Sequence, residues 1–562
     1  MVWKQTERSM EFDMFCEYGY NELTAAALYK AGIRSLEKAK EYLSGDTLHS
    51  PSLIRNIELA TNIIWDHIYQ HNKICVFGDY DADGITASAI MFLALKRLGA
   101  NVSVRLPDRI EEGYGISKKA IDDQIDVGAR LFITVDNGIR AVEETAYIKT
   151  CGCDIVILDH HEPGETLPEA DALIDLHIPG ETYPFIELTG AALAWKVAHY
   201  MLEQVSEHDY AMSLVDLAAM GTIGDVAPLH DENRVIVKRA IKRMRHCMYD
   251  RPGVAALMKD MEHITAEDIA FRLAPCLNAS GRLNSRGAEL PLILLLEDNP
   301  KIAQTLAERV NAENERRKKL QAYCYEQIRT EAVKRIANGE KVLVLLAENA
   351  PCGVAGLLAG NLKEEFNRPA IVLCTKKDLS GQKLWTGSAR SIDAFHMLKA
   401  IESCGKLLYK FGGHRLAAGI SMLPEDALLE QFREAMNQQA SELDKKDLEQ
   451  SICWDIELSQ EELTDDLYAG LEELEPFGAG APKPVILMPV SLSEDKSHDL
   501  IGQNREHLKL YTKDFSLIGF SLADKYIRCK LPQKISVVGC PSKNNYRGQS
   551  YKQITILDFT AA

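Results

Sequence analysis

Five short runs alternate with stretches of helical periodicity: Lys73–Gly78 (KICVFG), Val102–Leu106 (VSVRL), Leu131–Val135 (LFITV), Asp154–Leu158 (DIVIL) and Ala172–Ile174. Most of these runs are brief and nearly all apolar. A strand that is apolar on both faces must be covered on both faces, which a parallel sheet between layers of helices provides. VSVRL alternates instead and is expected nearer a sheet edge. The stretches between, such as Ile85–Leu98, repeat apolar residues at helical spacing. The alternation predicts a doubly wound α/β domain with a parallel sheet.

The chain has 562 residues, enough for three or four domains. Residues 1–45 read as a helical segment and 46–300 as the α/β domain with a helical second half. Lys301–Asn338 contains neither Gly nor Pro and is dense in charge, and Gly339 is a helix stop. One helix of that length spans about 57 Å and can bridge two domains. A second, smaller α/β unit is expected over 340–445, with strands near Lys341–Leu346 and Ala370–Cys374 and a closing loop, Phe411–Gly419 (FGGHRLAAG). Residues 441–450 read as a solvated linker. From 451 to 562, short strands separated by turns predict a small β-barrel.

Charge narrows the function classes. The formal net charge of −18 argues against nonspecific coating of nucleic acid but leaves room for a local basic groove. Residues 451–480 carry nine acids and no Lys or Arg, whereas 481–562 carry 12 Lys and Arg against seven acids, a net of +5. The longest apolar runs, Ala89–Leu95 and Leu290–Leu296, are far shorter than a membrane helix requires. No basic region followed by an apolar core opens the chain, so a cytoplasmic protein is expected. Thirteen cysteines include no CxxC pair, which supports neither a disulfide framework nor a zinc ribbon.

Chemistry concentrates where the first-domain strands end. KICVFG runs into Asp79-Tyr80-Asp81-Ala82-Asp83-Gly84, LFITV into Asp136-Asn137-Gly138, and DIVIL into Asp159-His160-His161, with Asp225 further on. Ligands of open parallel sheets bind beyond the carboxyl ends of the strands. Singly, each piece has an ordinary explanation: Asp79 or Asp83 could cap the helix near Ile85, and Asp136-Asn137-Gly138 is a good turn. Jointly, five aspartates and two histidines at one edge repel one another unless cations neutralise them. Carboxylates with one or two imidazoles suit Mn²⁺ or Mg²⁺. Two such cations would form a clamp for displacement at phosphorus.

DYDADG, VDNG and DHH, in this order, resemble the DHH phosphoesterase superfamily. RLPDRIEEGYG (105–115), LAAMGTIGDVAPLHDENR (217–234), LNASGRL (277–283), GSARSI (387–392), FGGHRLAAG (411–419) and LEPFGAG (474–480) narrow the resemblance to the RecJ family of bacterial exonucleases. It implies a DHH domain, a long connecting helix, a smaller DHH-associated α/β domain and a C-terminal OB-fold barrel. It implies cation ligands at Asp79, Asp81, Asp83, Asp136, His160 and Asp225. His161 would act on the scissile phosphate, with Asp159 fixing an imidazole behind it. Arg109, Ser388 and Arg390 match positions that hold a 5′-terminal phosphate, and Gly412, Gly413 and His414 the facing side of a cleft. Without the resemblance, Arg109 reads as a surface ion pair with Glu111 or Glu112. The implied activity is 5′→3′ hydrolysis of single-stranded DNA to mononucleotides with two divalent cations, Mn²⁺ or Mg²⁺, by a monomer. A RecQ-type helicase and a single-strand-binding protein are the implied partners. The rivals are a phosphodiesterase of short oligonucleotides or cyclic dinucleotides, and a non-catalytic DNA or replication scaffold. The chain departs from the family pattern at Phe77, Cys276, Ala350-Pro351 and Ala481.

Overall fold

Alternate residues of the apolar runs enter opposite cores, so one parallel sheet is buried on both faces. The computed structural model describes residues 1–108, 115–246, 249–261, 263–377, 381–502, 504–546 and 549–561. Strands β1 (Lys73–Phe77), β2 (Asn101–Arg105), β3 (Ala129–Val135), β4 (Asp154–Leu158) and β5 (Ala172–Ile174) lie in the order β2-β1-β3-β4-β5, every pair parallel. The alternating run is the edge strand β2, as its pattern requires. Ile74, Val76, Ile133 and Val156 pack with the helices Ala82–Arg97 and Gly190–Glu203 on one face. Cys75, Phe77, Phe132 and Ile155 pack with Ala120, Ile121 and Ile148 on the other. Phe77 thus faces away from the helix that follows β1, and the departure from the family pattern there fills a core.

The long helix runs from Pro300 to Ala337, 38 residues without a break. Leu306 and Val310 belong to the first core, and Cys324, Ile328 and Ala332 belong to a core of the second α/β domain. Its sheet contains β6 (Leu343–Leu346), β7 (Ala370–Lys377), β8 (Lys383–Arg390), β9 (Lys410–Gly413) and β10 (Ala417–Met422) in the order β9-β10-β8-β7-β6. Arg282 Nη1 donates to Gly353 O at 3.1 Å, and a Cβ at Gly353 would lie 2.2 Å from Arg282 O, so the two domains meet closely here. Cys276 is buried against the long helix, where Asn314 Nδ2 donates to its sulfur at 3.2 Å.

The C-terminal sheet has seven strands: β11 (Ile456–Glu457), β12 (Ile486–Ser491), β13 (His498–Ile501), β14 (His507–Tyr511), β15 (Ser516–Gly519), β16 (Lys534–Tyr546) and β17 (Gln549–Ala561), in the order β11-β12-β16-β17-β15-β14-β13. Its interior, including Ile486, Tyr526 and Phe559, is continuous with the core of the first domain. The opening segment is not wholly helical. Val2–Gln5 is a strand that pairs in parallel with Ser451–Trp454, a partner so distant in sequence that local pattern cannot announce it. Trp3 Nε1 adds a hydrogen bond to Asp558 (2.9 Å), and Lys30 an ion pair to Asp455 (3.0 Å).

Two of the family motifs prove to be a docking device. Arg234, 3% exposed, donates from Nε to Tyr42 O, from Nη1 to Pro476 O and from Nη2 to Leu474 O, all at 2.8–2.9 Å. Leu229 N donates to Ala479 O (2.8 Å), and Gly480, at φ 67°, leaves no room for a Cβ beside His230. Ala481, another departure, is buried where it bridges to Gly478.

Several of the barrel cations are used internally. Lys543 pairs with Glu472 (2.6 Å), Lys552 with Asp465 (2.9 Å) and Lys525 with Asp558 (2.5 Å). Part of the +5 segment therefore neutralises the acidic stretch before it. Tyr526 is fully buried and donates to Pro532 O at 3.0 Å, so it belongs to the barrel interior. Lys509 and Tyr511 stay half-buried side by side.

Because Arg234 satisfies carbonyls of two segments in a site closed to water, Arg234→Ala should lower stability by at least about 3 kcal/mol. Denaturant unfolding checks this: first domain and barrel should lose stability in one transition, since their cores are continuous.

Candidate metal centre and active-site cleft

The sheet order reverses between β1 and β3, and that point is where three chain segments deliver their acids. Asn137, fully buried, ties the two strand ends together, its Nδ2 donating to Phe77 O (3.2 Å) and Val135 O (2.9 Å). Asp81 caps the helix Ala82–Arg97, accepting from the N–H groups of Asp83 and Gly84, both at 3.1 Å. The cap is therefore Asp81, not Asp79 or Asp83. Asn278, from the LNASGRL motif, accepts from Ala82 N at 2.9 Å and fixes the same turn. Asp83 accepts from Gly190 N (2.8 Å) and Ala191 N (3.0 Å), at the start of the helix Gly190–Glu203.

Three glycines create the room. A Cβ at Gly84 would lie 2.6 Å from Asp79, one at Gly190 2.5 Å from Asp136, and one at Gly221 2.4 Å from Asp83. Asp136 itself sits at φ 61°, an unfavourable backbone for a non-glycine residue. Its carboxylate lies 3.0 Å from His160 Nε2, which in turn lies 3.6 Å from Asp83.

At this sheet edge, three groups have donor atoms within 4.8 Å of one another: Asp79, Asp81 and Asp136; Asp83, His160 and Asp225; and Asp136, His160 and His161. All six residues expected as cation ligands thus converge, with Asp136 and His160 shared between groups. Carboxylate and imidazole donors so arranged fit divalent cations such as Mn²⁺ or Mg²⁺. The electrostatics agree. Burial, then repulsion from Asp83, Asp81, Asp79 and Asp159, push Asp136 far above the usual carboxylate range. Asp225 is an exposed residue, but neighbouring protein around its carboxyl strips water from it and Asp83 and Asp81 repel it; the carboxyl is pushed up to about 8. Such groups ionise together only with cations among them.

Asp159 has a different role. It is fully buried and accepts from Ile139 N (2.9 Å), His160 N (2.8 Å) and His161 Nδ1 (2.7 Å). Burial opposes its ionisation, but the hydrogen bond and charge of His161 prevail and hold it low. The same carboxylate overcomes the burial of His161 and pushes that imidazole up to about 9. His161 lines a cavity with Arg140, Glu162 and, from the second domain, His414.

In the second domain, Ser388 and Arg390 end β8, paired with Gly419 and Ala417 of β10. Arg390 Nη1 donates to Ser388 Oγ at 3.0 Å. Gly413, at φ 152°, has no room for a Cβ against Ala417 and Ala418, whereas a Cβ at Gly412 would meet open space. Gly413 is therefore required by the hairpin, while Gly412 leaves backbone bare. Arg109 lies outside the described residues. Sequence reasoning passed over Asn137, Asn278, Gly190 and Arg140. Asn137 stood within VDNG, and Gly190 was a lone glycine opening a helical pattern.

The fold and site together define a DHH-type phosphoesterase architecture. The family model "DHH family, N-terminal domain" matches residues 73–222, "DHHA1 domain" matches 339–442 and "RecJ OB domain" matches 454–558. The chain belongs to the RecJ family. It is 34% identical over 95% of its length to the single-stranded-DNA-specific exonuclease RecJ of Bacillus subtilis, covering 67% of that protein. It is 32% identical over 85% of its length to that of Escherichia coli, covering 84% of it. The crystal structure of RecJ from Thermus thermophilus in complex with Mn²⁺ superposes with a TM-score of 0.81 at 26% identity, covering all of this chain and 80% of that one. Among the described residues, no helix is long and apolar enough to cross a membrane.

A pH dependence follows. A group whose pKa is higher folded than unfolded favours folding while protonated. Its contribution is complete below the unfolded value and is lost as pH rises through the folded one. For Asp225 and His161 that loss falls through about 8 and about 9. The metal-free protein should therefore lose thermal stability towards about pH 9, most steeply between about pH 6.5 and about pH 8, where both groups act. Mn²⁺ should restore it while releasing protons, measured by melting in EDTA or Mn²⁺ and by calorimetry in two buffers of different ionisation enthalpy.

Proposed function

We propose that this chain is a metal-dependent exonuclease that hydrolyses single-stranded DNA from the 5′ end to mononucleotides. The observation that carries this reading is the shared cavity: His161, beside the acid cluster, and His414, from the second domain, line one space. A strand held there would lie between the acids of one domain and the Ser388–Arg390 strand of the other. A cleft wide enough for one strand but not a duplex would make the activity specific to single strands.

Asp79, Asp81 and Asp136 would hold one cation, and Asp83, His160, Asp225 and Asp136 a second. When bound, such cations supply Lewis-acid charge at the phosphate oxygens and lower the pKa of water. The chain's own residues do the rest. Asp159 holds His161 through Nδ1 and keeps it protonated, so its other nitrogen can donate to the scissile phosphate or its leaving oxygen. Arg390 and Ser388 offer a guanidinium and a hydroxyl to a terminal 5′-phosphate, with Arg109 as a further holder. The bare backbone at Gly412 lets a phosphate approach. The residues named here all belong to one chain, so a monomer would suffice. A substrate that must be single-stranded calls for a helicase, of the RecQ type, and a single-strand-binding protein upstream.

Asp136→Ala should abolish most turnover, by several kcal/mol of transition-state stabilisation, while the protein still folds because one repelling acid is gone. Near-normal hydrolysis in Mn²⁺ would contradict the site. Arg390→Ala should weaken preference for phosphorylated over hydroxyl 5′ ends by about 1.5–3 kcal/mol. With either end labelled, the 5′ label should reach mononucleotide first; earlier release of the 3′ label would contradict the direction.

A further inference from the structure

Away from the cleft, His199, Glu203 and His208 form a second group of metal-type donors that the hydrolysis reading does not use. His199 and Glu203 lie one turn apart on the helix Gly190–Glu203, and His208 opens the next helix, His208–Ser213. The donor atoms make a nearly equilateral triangle. His199 Nε2 lies 3.4 Å from His208 Nδ1 and 3.2 Å from Glu203 Oε1, and His208 Nδ1 lies 3.2 Å from Glu203 Oε1. A cation held tetrahedrally at about 2.0–2.1 Å spaces its donors about 3.3–3.4 Å apart. The triangle is thus one face of such a tetrahedron. The exposure of Glu203 and His208 leaves its fourth corner to water.

An ion pair shared between one carboxylate and two imidazoles is the plainer account, but the frame around these residues is more rigid than an ion pair needs. His199, its side chain only 10% exposed, stacks on buried Trp195 at 5.4 Å and 22°. Trp195 Nε1 donates to Ala211 O at 2.8 Å, which clamps the helix of His208 to that of His199. The neighbouring Lys196 is already paired with Glu232.

The geometry points to a second metal site, in which His199, Glu203 and His208 bind a late first-row divalent cation of the Zn²⁺ type. Two imidazoles and one carboxylate favour such ions, whereas the oxygen-dominated catalytic cluster favours Mn²⁺ or Mg²⁺. The site ends the same 14-residue helix whose first residues donate to Asp83, about 20 Å away along its axis. A bound ion would staple that helix to its successor.

Co²⁺ gives the test, because four-coordinate cobalt absorbs visible light far more strongly than six-coordinate cobalt. The full chain is stripped of metal, saturated with Mg²⁺ and titrated with Co²⁺. Intense visible bands should appear and vanish on adding stoichiometric Zn²⁺. His208→Ala and Glu203→Gln, both at the surface, should each weaken binding by more than about tenfold, the loss that even an outer-shell change causes. Asp136→Ala should keep the bands. Their absence from the parent chain, their persistence in His208→Ala, or their loss in Asp136→Ala would overturn the assignment.

Discussion

The structure depends on holding mutually repelling carboxylates at one end of a buried sheet. Asp79, Asp83 and Asp136 are each no more than 3% exposed, and water cannot screen them. The fold answers with hydrogen bonds from helix starts: Asp81 caps one helix and Asp83 accepts from the first residues of another. Glycines at 84, 190 and 221 let these helices approach to where a side chain would collide with an acid. What remains unbalanced is charge, and divalent cations supply the balance. Metal binding, local stability and proton uptake are therefore one linked equilibrium.

Around that centre the chain is arranged for access. The first domain and the barrel share a core and are locked by Arg234, so the barrel is a fixed extension of the catalytic domain. The second α/β domain has cores of its own and reaches the first through the long helix and contacts such as Arg282 with Gly353. The cleft thus lies between a rigid block and a separately packed unit. One consequence concerns the barrel: removing it would strip Arg234 of its acceptors at Leu474, Glu475 and Pro476, leaving only Tyr42 O, and Val2–Gln5 of its partner. Truncation would damage the catalytic domain itself, so single substitutions such as Lys509→Ala probe a role in strand binding more cleanly.

Much of the sheet and the acid cluster was legible in sequence because their signals are local. A doubly apolar run demands burial on both faces, and an acid directly after it must sit at the strand's carboxyl end. The long helix was equally plain, lacking Gly and Pro throughout after its first residue, Pro300. Long-range pairing was not legible. Nothing in VWKQ announces a partner at residue 451, and nothing in the acids of 451–480 announces that Lys543 and Lys552 answer them. The motifs 217–234 and 474–480 marked kinship, but only their contact shows that they hold the barrel in place.

The central claim is that Asp136 is shared between two cation positions at the switch point of the sheet. Anomalous diffraction from crystals soaked in Mn²⁺ tests it most directly. The account predicts two peaks, both within ligand distance of Asp136, one flanked by Asp79 and Asp81 and the other by Asp83, His160 and Asp225. A single peak, or two of which one lies beyond the reach of Asp136, would contradict it.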